Sequence, residues 1–188
     1  MLATLPFLLF LLVILMTLLR GRAVRARSGT SAWAFTNARG MQRLSGVVFV
    51  VSCGTLVVLS ALLASGALTV PPDRRAFGTV GIALGALIVA IAQIQMGNAW
   101  RIGVRDGDAP LFVRAGLFRV SRNPIFVGMI LMALGIAVAA GTPWGWAGAL
   151  TFIAACHLQT RVEEIHLSRQ FGDAYDAYRR AVPRWLLL

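Results

Sequence analysis

Four long stretches without a charged residue constrain this chain more than any other feature of its sequence. They cover residues 1–19, 44–72, 76–100 and 123–160. Roughly 20 helical residues cross a bilayer core of about 30 Å, and a charged side chain at its centre costs several kcal/mol. Hydrophobic residues make up 58% of the chain and charged residues only 13%, which is more apolar surface than a soluble domain buries. The sequence therefore predicts an integral membrane protein.

The uncharged stretches predict an all-α fold, a single membrane domain over residues 1–188 with five transmembrane helices. The stretch 123–160 exceeds one span, and its residues 141–146 combine glycine, proline and tryptophan as in a turn at the membrane interface. The prolines at positions 71 and 72 are expected to end the second helix, and residues 73–75 to form an external loop. The predicted spans are residues 2–19, 45–70, 76–100, 124–140 and 144–171.

Beyond the fourth uncharged stretch the sequence becomes amphipathic, with apolar residues recurring at helical spacing. Gly172 is expected to end the fifth helix, and Asp173 to cap a short helix after it. The fifth helix is longer than the hydrocarbon core, so its last turns project into the cytoplasm or into a shielded cavity.

Arginine supplies all 18 basic residues and a net charge of +11. Such a charge often indicates nucleic-acid binding, but here the arginines lie in short segments between apolar stretches. Eleven of the 18 fall in residues 20–43 and 101–122, which five spans place on the same side. Because positive loops face the cytoplasm, we expect the N-terminus outside, the C-terminus in the cytoplasm and no nucleic-acid partner. The first stretch lacks a preceding positive charge, so it is interpreted as a retained span rather than a secretory signal. The membrane is expected to be of the bacterial inner-membrane type.

One polar cluster lies where the fifth helix is expected to leave the bilayer. Gln159 and Glu163 share a helix face with His166, and Glu163 and Glu164 are the only glutamates in the chain. Two interpretations stand side by side. The cluster is either a solvated helix end, with Arg161 paired to Glu164, or a set of carboxylates held at a pocket on the membrane edge.

A second polar cluster opens the fourth span at Arg122, Asn123 and Pro124. Proline is favoured at a helix start, and the exposed N–H groups there attract negative charge. The cluster is either an ordinary interfacial helix start or an anion-binding site to which Arg122 adds a positive charge. The sequence offers no zinc-ligand spacing, glycine-rich phosphate loop or serine-hydrolase motif.

These two clusters resemble the integral-membrane methyltransferases typified by isoprenylcysteine carboxyl methyltransferase, to which phospholipid N-methyltransferases are related. The resemblance covers residues 93–185 and has two blocks. The first block is Gly116-Leu117-Phe118-Arg119-Val120-Ser121-Arg122-Asn123-Pro124-Ile125-Phe126-Val127-Gly128. The second block is Arg161-Val162-Glu163-Glu164 with Leu167, followed by Phe171-Gly172, Tyr175, Tyr178 and Val182-Pro183-Arg184. Order and spacing of both blocks fit the family.

The resemblance implies an enzyme that uses S-adenosyl-L-methionine and methylates a lipophilic or lipid-linked acceptor reached from the membrane. It implies a cytoplasmic cofactor pocket formed by the loop before the fourth helix and by the C-terminal helices. Gln159 and Arg161 are the candidate catalytic, acceptor-orienting groups. The expected cofactor-binding residues are Leu111, Phe112, Val113, Phe118, Arg122, Asn123, Pro124, Ile125, Phe126, Glu163 and Glu164. No metal is expected in the site.

The charges and hydrogen-bonding groups of these residues are compatible with that cofactor. The helix start at Pro124 and the guanidinium of Arg122 suit its carboxylate, and Glu163 suits an ammonium or hydroxyl donor. Methyl transfer is an in-line displacement, so alignment and exclusion of water supply much of the rate.

Two positions depart from the family pattern. Asn123 stands where eukaryotic members carry His, which retains a polar contact but removes a titratable group. Gln159 stands where the carboxyl methyltransferases carry an Arg that faces the substrate carboxylate, and Gln cannot neutralise a carboxylate. A thiol, amine, hydroxyl or other lipophilic acceptor therefore stays open. Two rival interpretations are a non-enzymatic helical membrane subunit or transporter component, and a membrane reductase of the sterol-reductase type.

Overall fold

The structure is a computed structural model that describes residues 4–28, 40–97 and 112–186. Every regular element in these residues is helical, which confirms the all-α prediction for this part of the chain. The elements are six α-helices and one 3₁₀ turn: α1 (Leu5–Ser28), α2 (Gly40–Ala64), α3 (Pro72–Met96), the 3₁₀ turn (Gly116–Arg119), α4 (Pro124–Ala140), α5 (Pro143–Phe171) and α6 (Asp173–Ala181).

Three described helices, α1, α2 and α3, are long and apolar enough to cross a membrane. Helix α4 is apolar but has only 17 residues, and α5 has 29 residues, with most of its polar side chains, both glutamates included, in the last third, residues 162–171. The outer faces of the first three helices expose large apolar side chains, among them Leu12, Leu15, Val50, Val58 and Leu84. Such continuous apolar surface is typical of protein in contact with lipid. The fold is that of a helical integral membrane protein.

The described helices pack into one bundle with a continuous apolar core. Helix α3 packs most extensively on α4, α5 packs on both α2 and α4, and α1 packs on α2 and α3. The fully buried side chains at the centre of this core are Leu56, Leu63, Ile82, Val89, Met132, Ile136 and Phe152. The third and fourth helices run antiparallel, with Gly78 against Gly135 and Gly85 against Gly128.

Several predicted helix boundaries in the first half of the chain are wrong. Helix α1 continues beyond the predicted span of residues 2–19, through the arginines to Ser28, because Arg is a good helix former. The bounds of the span itself stay a prediction. Helix α2 ends at Ala64 rather than near residue 70, and Gly66 turns the chain with a φ of +77°. The expected loop at residues 73–75 is the first turn of α3, where Pro72 and an acidic Asp73 favour a helix start.

The second half of the chain follows the prediction more closely. Helix α4 covers residues 124–140 as expected. The hairpin turn after it is shorter than expected, because α5 already begins at Pro143, where Thr142 caps it by accepting a hydrogen bond from the Gly145 N–H at 3.1 Å. Gly172 ends α5 with a φ of +50°. Asp173 is the first residue of α6 rather than its cap, which is Gly172. Predicted-span residues 98–100 lie outside the described residues.

Candidate functional site

Long-range hydrogen bonds gather polar groups from several helices at one end of the bundle. Arg20 in the C-terminal half of α1 donates to the carbonyl of Gly97, which follows α3, at 2.9 Å. Ser45 near the start of α2 donates to Gln159 of α5 at 3.0 Å. We call this region the polar end: the ends of α1 and α3, the starts of α2 and α4, and residues 159–164 of α5.

The 3₁₀ turn is held at the polar end from two sides. Gly116 has a φ of +63°, and a Cβ there would collide with the side chain of Gln95. The Gln95 carboxamide oxygen accepts a hydrogen bond from the Leu117 N–H at 2.7 Å. The Tyr178 hydroxyl of α6 donates to the Phe118 carbonyl at 2.7 Å, and burial raises the pKa of Tyr178 to about 12. The turn therefore links α3 to α6.

The chain just before α4 is bonded to the C-terminal segment. The Arg122 N–H donates to the Pro183 carbonyl at 2.9 Å. The Ser121 hydroxyl and the Asn123 side-chain amide both donate to the Arg184 carbonyl, each at 3.2 Å. The two sequence blocks, about sixty residues apart along the chain, are therefore joined by direct hydrogen bonds.

Glu164 lies at the centre of this junction. The single Arg184 Nε–H is shared between both oxygens of its buried carboxylate, each at 3.1 Å, and Arg184 Nη2 donates to Oε2 at 2.7 Å. Arg122 Nη2 lies 3.2 Å from Oε1. The hydrogen bonding to Glu164 raises the pKa of Arg184. Of the two interpretations of this cluster, the one that pairs Glu164 with Arg161 is wrong: Arg161 Nε donates to His157 Nε2 at 3.0 Å on the outer side of α5.

Arg122 combines burial with unused hydrogen-bonding capacity. Only 8% of its side chain is exposed, and its Nε and Nη1 have no hydrogen-bond partner among the described residues. The adjoining start of α4 has no side-chain cap, and Pro124 is its first residue. The first N–H groups of a helix have no partner within it. Arg122 and the start of α4 together can hold an anionic group.

Gln159 and Glu163 form a second polar group on the next turns of α5. Gln159 is 2% exposed, and its Nε2 donates to Glu163 Oε1 at 3.3 Å. Its Oε1 accepts from Ser45. Unlike Glu164, Glu163 has no arginine partner among the described residues. Its carboxylate can therefore accept hydrogen bonds from a bound cation or hydroxyl.

The other predicted cofactor-binding residues lie in two packing environments. Phe126 packs edge-on against Phe49 at 6.0 Å between ring centres, and Ile125 also contacts the bundle core. Phe112 packs instead against the aromatic residues of the C-terminal part, with Phe171 at 4.7 Å. Pro124 and Phe118 are buried, Val113 is partly buried, and Leu111 lies outside the described residues. These assignments to a cofactor stay predictions.

Five side chains at this site were not among the predicted site residues. They are Ser45, Gln95, Ser121, Tyr178 and Arg184. Tyr178 and Arg184 belong to the second sequence block, so their motif was a usable signal. Ser45 and Gln95 lie in helices whose local sequence gives no indication of a partner more than twenty residues away.

The sequence of this chain is similar to a known family and to known proteins. A sequence model of the family described as phospholipid methyltransferase matches residues 74–174, more than half of the 188 residues. The chain is 27% identical over 108 residues to the protein-S-isoprenylcysteine O-methyltransferase of Schizosaccharomyces pombe; this match covers 54% of the chain and 44% of that protein, less than half its length. It is 32% identical over 63 residues to an uncharacterized protein of Haemophilus influenzae, covering 33% of the chain and 100% of that protein. No solved structure gives a significant match.

The matched region contains most of the elements that build the polar end, but neither α1 nor α2. It begins in the first turn of α3, includes the 3₁₀ turn and the start of α4, and reaches α6. It contains Arg122, Asn123, Glu163 and Glu164, on which the sequence resemblance rested. That resemblance is confirmed: the chain belongs to the phospholipid methyltransferase family of membrane methyltransferases.

Proposed function

We propose that this protein transfers a methyl group from S-adenosyl-L-methionine to a lipophilic acceptor that enters from the membrane. One observation carries the proposal: the start of α4 and the polar third of α5 meet, with Arg122 Nη2 lying 3.2 Å from Glu164 Oε1. Family membership supports methyl transfer. The meeting of the two motif blocks supports a single binding region at the polar end.

The charged groups at the polar end fit the amino-acid part of this cofactor. Arg122 keeps two buried nitrogens without a partner among the described residues, next to the uncapped start of α4. A carboxylate bound there would satisfy both the guanidinium and the first helix N–H groups. Glu163 would accept hydrogen bonds from an ammonium group or a ribose hydroxyl. Glu164 is assigned to holding Arg122 and Arg184 in place, since three bonds already engage its carboxylate.

When bound, the cofactor supplies a methyl group activated by a positively charged sulfur. The chain's own residues then have to position that group and keep water away. Phe118 and Phe126 provide apolar surface, and the bonds from Gln95 and Tyr178 hold the 3₁₀ turn that carries Phe118. We assign catalysis to alignment rather than to a named general base.

The acceptor side of the proposal rests on Gln159. It is an uncharged buried amide, so it would orient a thiol, amine, hydroxyl or other neutral group rather than neutralise a carboxylate. Arg161 lies on the outer side of α5, bonded to His157. We therefore assign Arg161 to the entrance on the lipid side. The relative from Schizosaccharomyces pombe is named for a prenylated cysteine, and the family for phospholipids, both of which are membrane-embedded acceptors.

The proposed arrangement in the membrane has five spans, α1 to α5, with the N-terminus outside and the C-terminus in the cytoplasm. Helices α4 and α5 would form the fourth and fifth spans, and the polar third of α5 would leave the bilayer together with α6. Among the described arginines, Arg20, Arg43, Arg119 and Arg122 lie toward the polar end. Their positive charge favours a cytoplasmic side for that end.

Calorimetry on the purified protein in detergent tests the cofactor assignment. Binding of S-adenosylmethionine or S-adenosylhomocysteine is expected, and NADPH should not compete with it. Glu163→Ala should weaken binding about tenfold to a hundredfold, since it removes hydrogen bonds to a charged acceptor. The control Asp173→Ala changes an exposed acidic residue at the start of α6 and should leave affinity within about twofold.

Two outcomes would contradict the proposal. Absence of binding to the folded wild-type protein would favour a non-enzymatic membrane subunit, and preferential binding of NADPH would favour a reductase. Unchanged affinity in a folded Glu163→Ala variant would remove Glu163 from the site while leaving the family assignment intact. Screening membrane extracts with the purified protein and a methyl-labelled cofactor would then identify the acceptor class.

A further inference from the structure

A hydroxyl from α2 reaches the polar group on α5. Ser45 is fully buried, and its Oγ lies 3.0 Å from Gln159 Oε1. Helix α2 lies outside residues 74–174, the region matched by the family model. One turn further along, Phe49 packs against Phe126 and Phe152, which fixes this face of α2 against α4 and α5. Ser45 therefore stands in a well-packed position beside the proposed site.

The hydrogen bonds on the two sides of the Gln159 amide determine which way its oxygen and its nitrogen point. An ionised carboxylate only accepts hydrogen bonds, and the Gln159 amide nitrogen accordingly faces Glu163, from which it lies 3.3 Å. The amide oxygen is then left on the opposite side, where it needs a donor. Ser45 supplies that donor, sharing its proton with the Gln42 carbonyl of its own helix, also 3.0 Å away.

We infer that Ser45 is a positioning residue: it holds the Gln159 amide in the orientation that presents its nitrogen to Glu163. The inference rests on the proposed function insofar as Glu163 is assigned to the cofactor. Without Ser45 the amide oxygen would be buried without a partner, and the amide would gain freedom to turn its oxygen toward the carboxylate. Ser45 would thus act on cofactor binding only through Gln159.

A matched control lies on the same helix. Ser60 is also fully buried, and its hydroxyl donates to the Val57 carbonyl within α2 at 2.8 Å. Ser45→Ala and Ser60→Ala each remove one buried hydroxyl and add a good helix former. A general effect of losing a buried hydroxyl should appear in both variants, whereas an effect on Gln159 should appear only in the first.

Calorimetric titration with S-adenosylhomocysteine tests the inference in the wild-type and in a Gln159→Met background. Ser45→Ala should weaken binding about threefold to tenfold in the wild-type background, and Ser60→Ala by less than about twofold. In the Gln159→Met background Ser45→Ala should have less than about a twofold effect, because its partner is already absent. An equal loss in both backgrounds would overturn the inference, since it would indicate a structural role independent of Gln159.

A second measurement requires no cofactor. In protein labelled with nitrogen-15 at glutamine, the Gln159 side-chain amide signal can be identified by its absence in Gln159→Met. Ser45→Ala should shift that signal and Ser60→Ala should not. An unmoved signal would overturn the positioning role. If the wild-type protein binds no cofactor, the proposed function fails, and the amide signal still decides for or against the Ser45 bond on its own.

Discussion

Two adjacent glutamates in α5 have different surroundings and, we conclude, different tasks. Glu164 is bound by Arg184 through two nitrogens and by Arg122 through one, with only 8% of its side chain exposed. Glu163 faces Gln159 and has no arginine partner among the described residues. One carboxylate fixes the junction of the two sequence blocks, and the other stays available to a ligand.

Glu164→Gln should therefore lower the stability of the protein much more than Glu163→Gln. Removing one partner of a buried ion pair leaves uncompensated charge, which costs about 3–5 kcal/mol. Denaturant-induced unfolding in detergent measures the loss, and the Glu163→Gln variant should lose less than about 1 kcal/mol. Equal losses in the two variants would contradict the division of tasks between the neighbouring carboxylates.

The only two tyrosines of the chain, Tyr175 and Tyr178, provide a pH-dependent test of the C-terminal packing. Burial raises the pKa of both phenols, that of Tyr178 from its ordinary value of 10.0 to about 12. The folded state favours the neutral phenol, so this stabilisation is present below pH 10 and is lost as the pH rises through about 12.

The ultraviolet absorbance of tyrosinate, followed against pH in detergent, should show no ionisation near pH 10 in the folded protein. The denatured protein should titrate near the ordinary pKa of about 10. In Tyr178→Phe the remaining phenol should still titrate above pH 10. A folded-state midpoint near 10 would show that α6 does not bury its tyrosines against the 3₁₀ turn.

For single residues, the sequence indicates which side chains have the relevant chemistry better than it indicates which residues they contact. Residue type and spacing were sufficient to select Arg122, Glu163 and Glu164. The partner that helix spacing offered for Glu164, in one of the two interpretations, was Arg161, because helix geometry relates residues three apart. The actual partners are Arg184, twenty residues away, and Arg122 on another element. Contacts between elements depend on tertiary packing, which a rule about spacing within one helix cannot predict.

Among the elements, α3 and α4 show the closest approach. Their glycines recur seven residues apart, at positions 78 and 85 in one helix and 128 and 135 in the other, and face each other across the antiparallel pair. A Cβ on Gly135 would lie 2.6 Å from the Gly78 carbonyl oxygen. Small residues at such positions let two helix backbones come into contact within the membrane. This contact holds the end of α3 beside the start of α4.

Gly135→Ala is expected to lower the free energy of unfolding by about 1–3 kcal/mol, since the helices have to separate to admit a methyl group. Gly54→Ala in α2 is the matched control, because a Cβ there has nothing within 4 Å. It should change stability by less than about 1 kcal/mol. Thermal unfolding in detergent compares the two, and a tolerated Gly135→Ala would contradict backbone contact between α3 and α4.

The helices themselves were more predictable than their ends. Charge-free length located each apolar helix in the described part of the chain, because a charge inside the bilayer is costly. It did not give the ends of α1 and α2, since hydropathy indicates which residues contact lipid and not where the helix stops. Pro72 illustrates the point: a proline ends a helix that precedes it but also begins one, and here it begins α3.

For the whole molecule, the polar end is the feature that unites fold and function. Alternating helices bring the end of α1, the start of α2, the end of α3 and the start of α4 to one side of the bundle, as the Arg20–Gly97 and Ser45–Gln159 bonds require. The opposite side carries the connection from α2 to α3 and the exposed Trp144, which is 80% exposed. An interfacial tryptophan is typical of a membrane boundary.

The proposed orientation follows from this arrangement and can be tested with two single reporter variants. The variants are Ser65→Cys and Arg180→Cys. Ser65 follows α2 on the side opposite the polar end, Arg180 lies on α6, and both positions are exposed. A membrane-impermeant maleimide should label Ser65→Cys in intact cells and Arg180→Cys only after permeabilisation. The wild-type protein measures background, since Cys156 is buried and Cys53 partly buried.

Labelling of both variants from the same side would rule out five spans, because the two ends of the bundle would then face one compartment. Labelling in the reverse order would retain the spans but put the polar end outside, away from a cytoplasmic supply of S-adenosylmethionine.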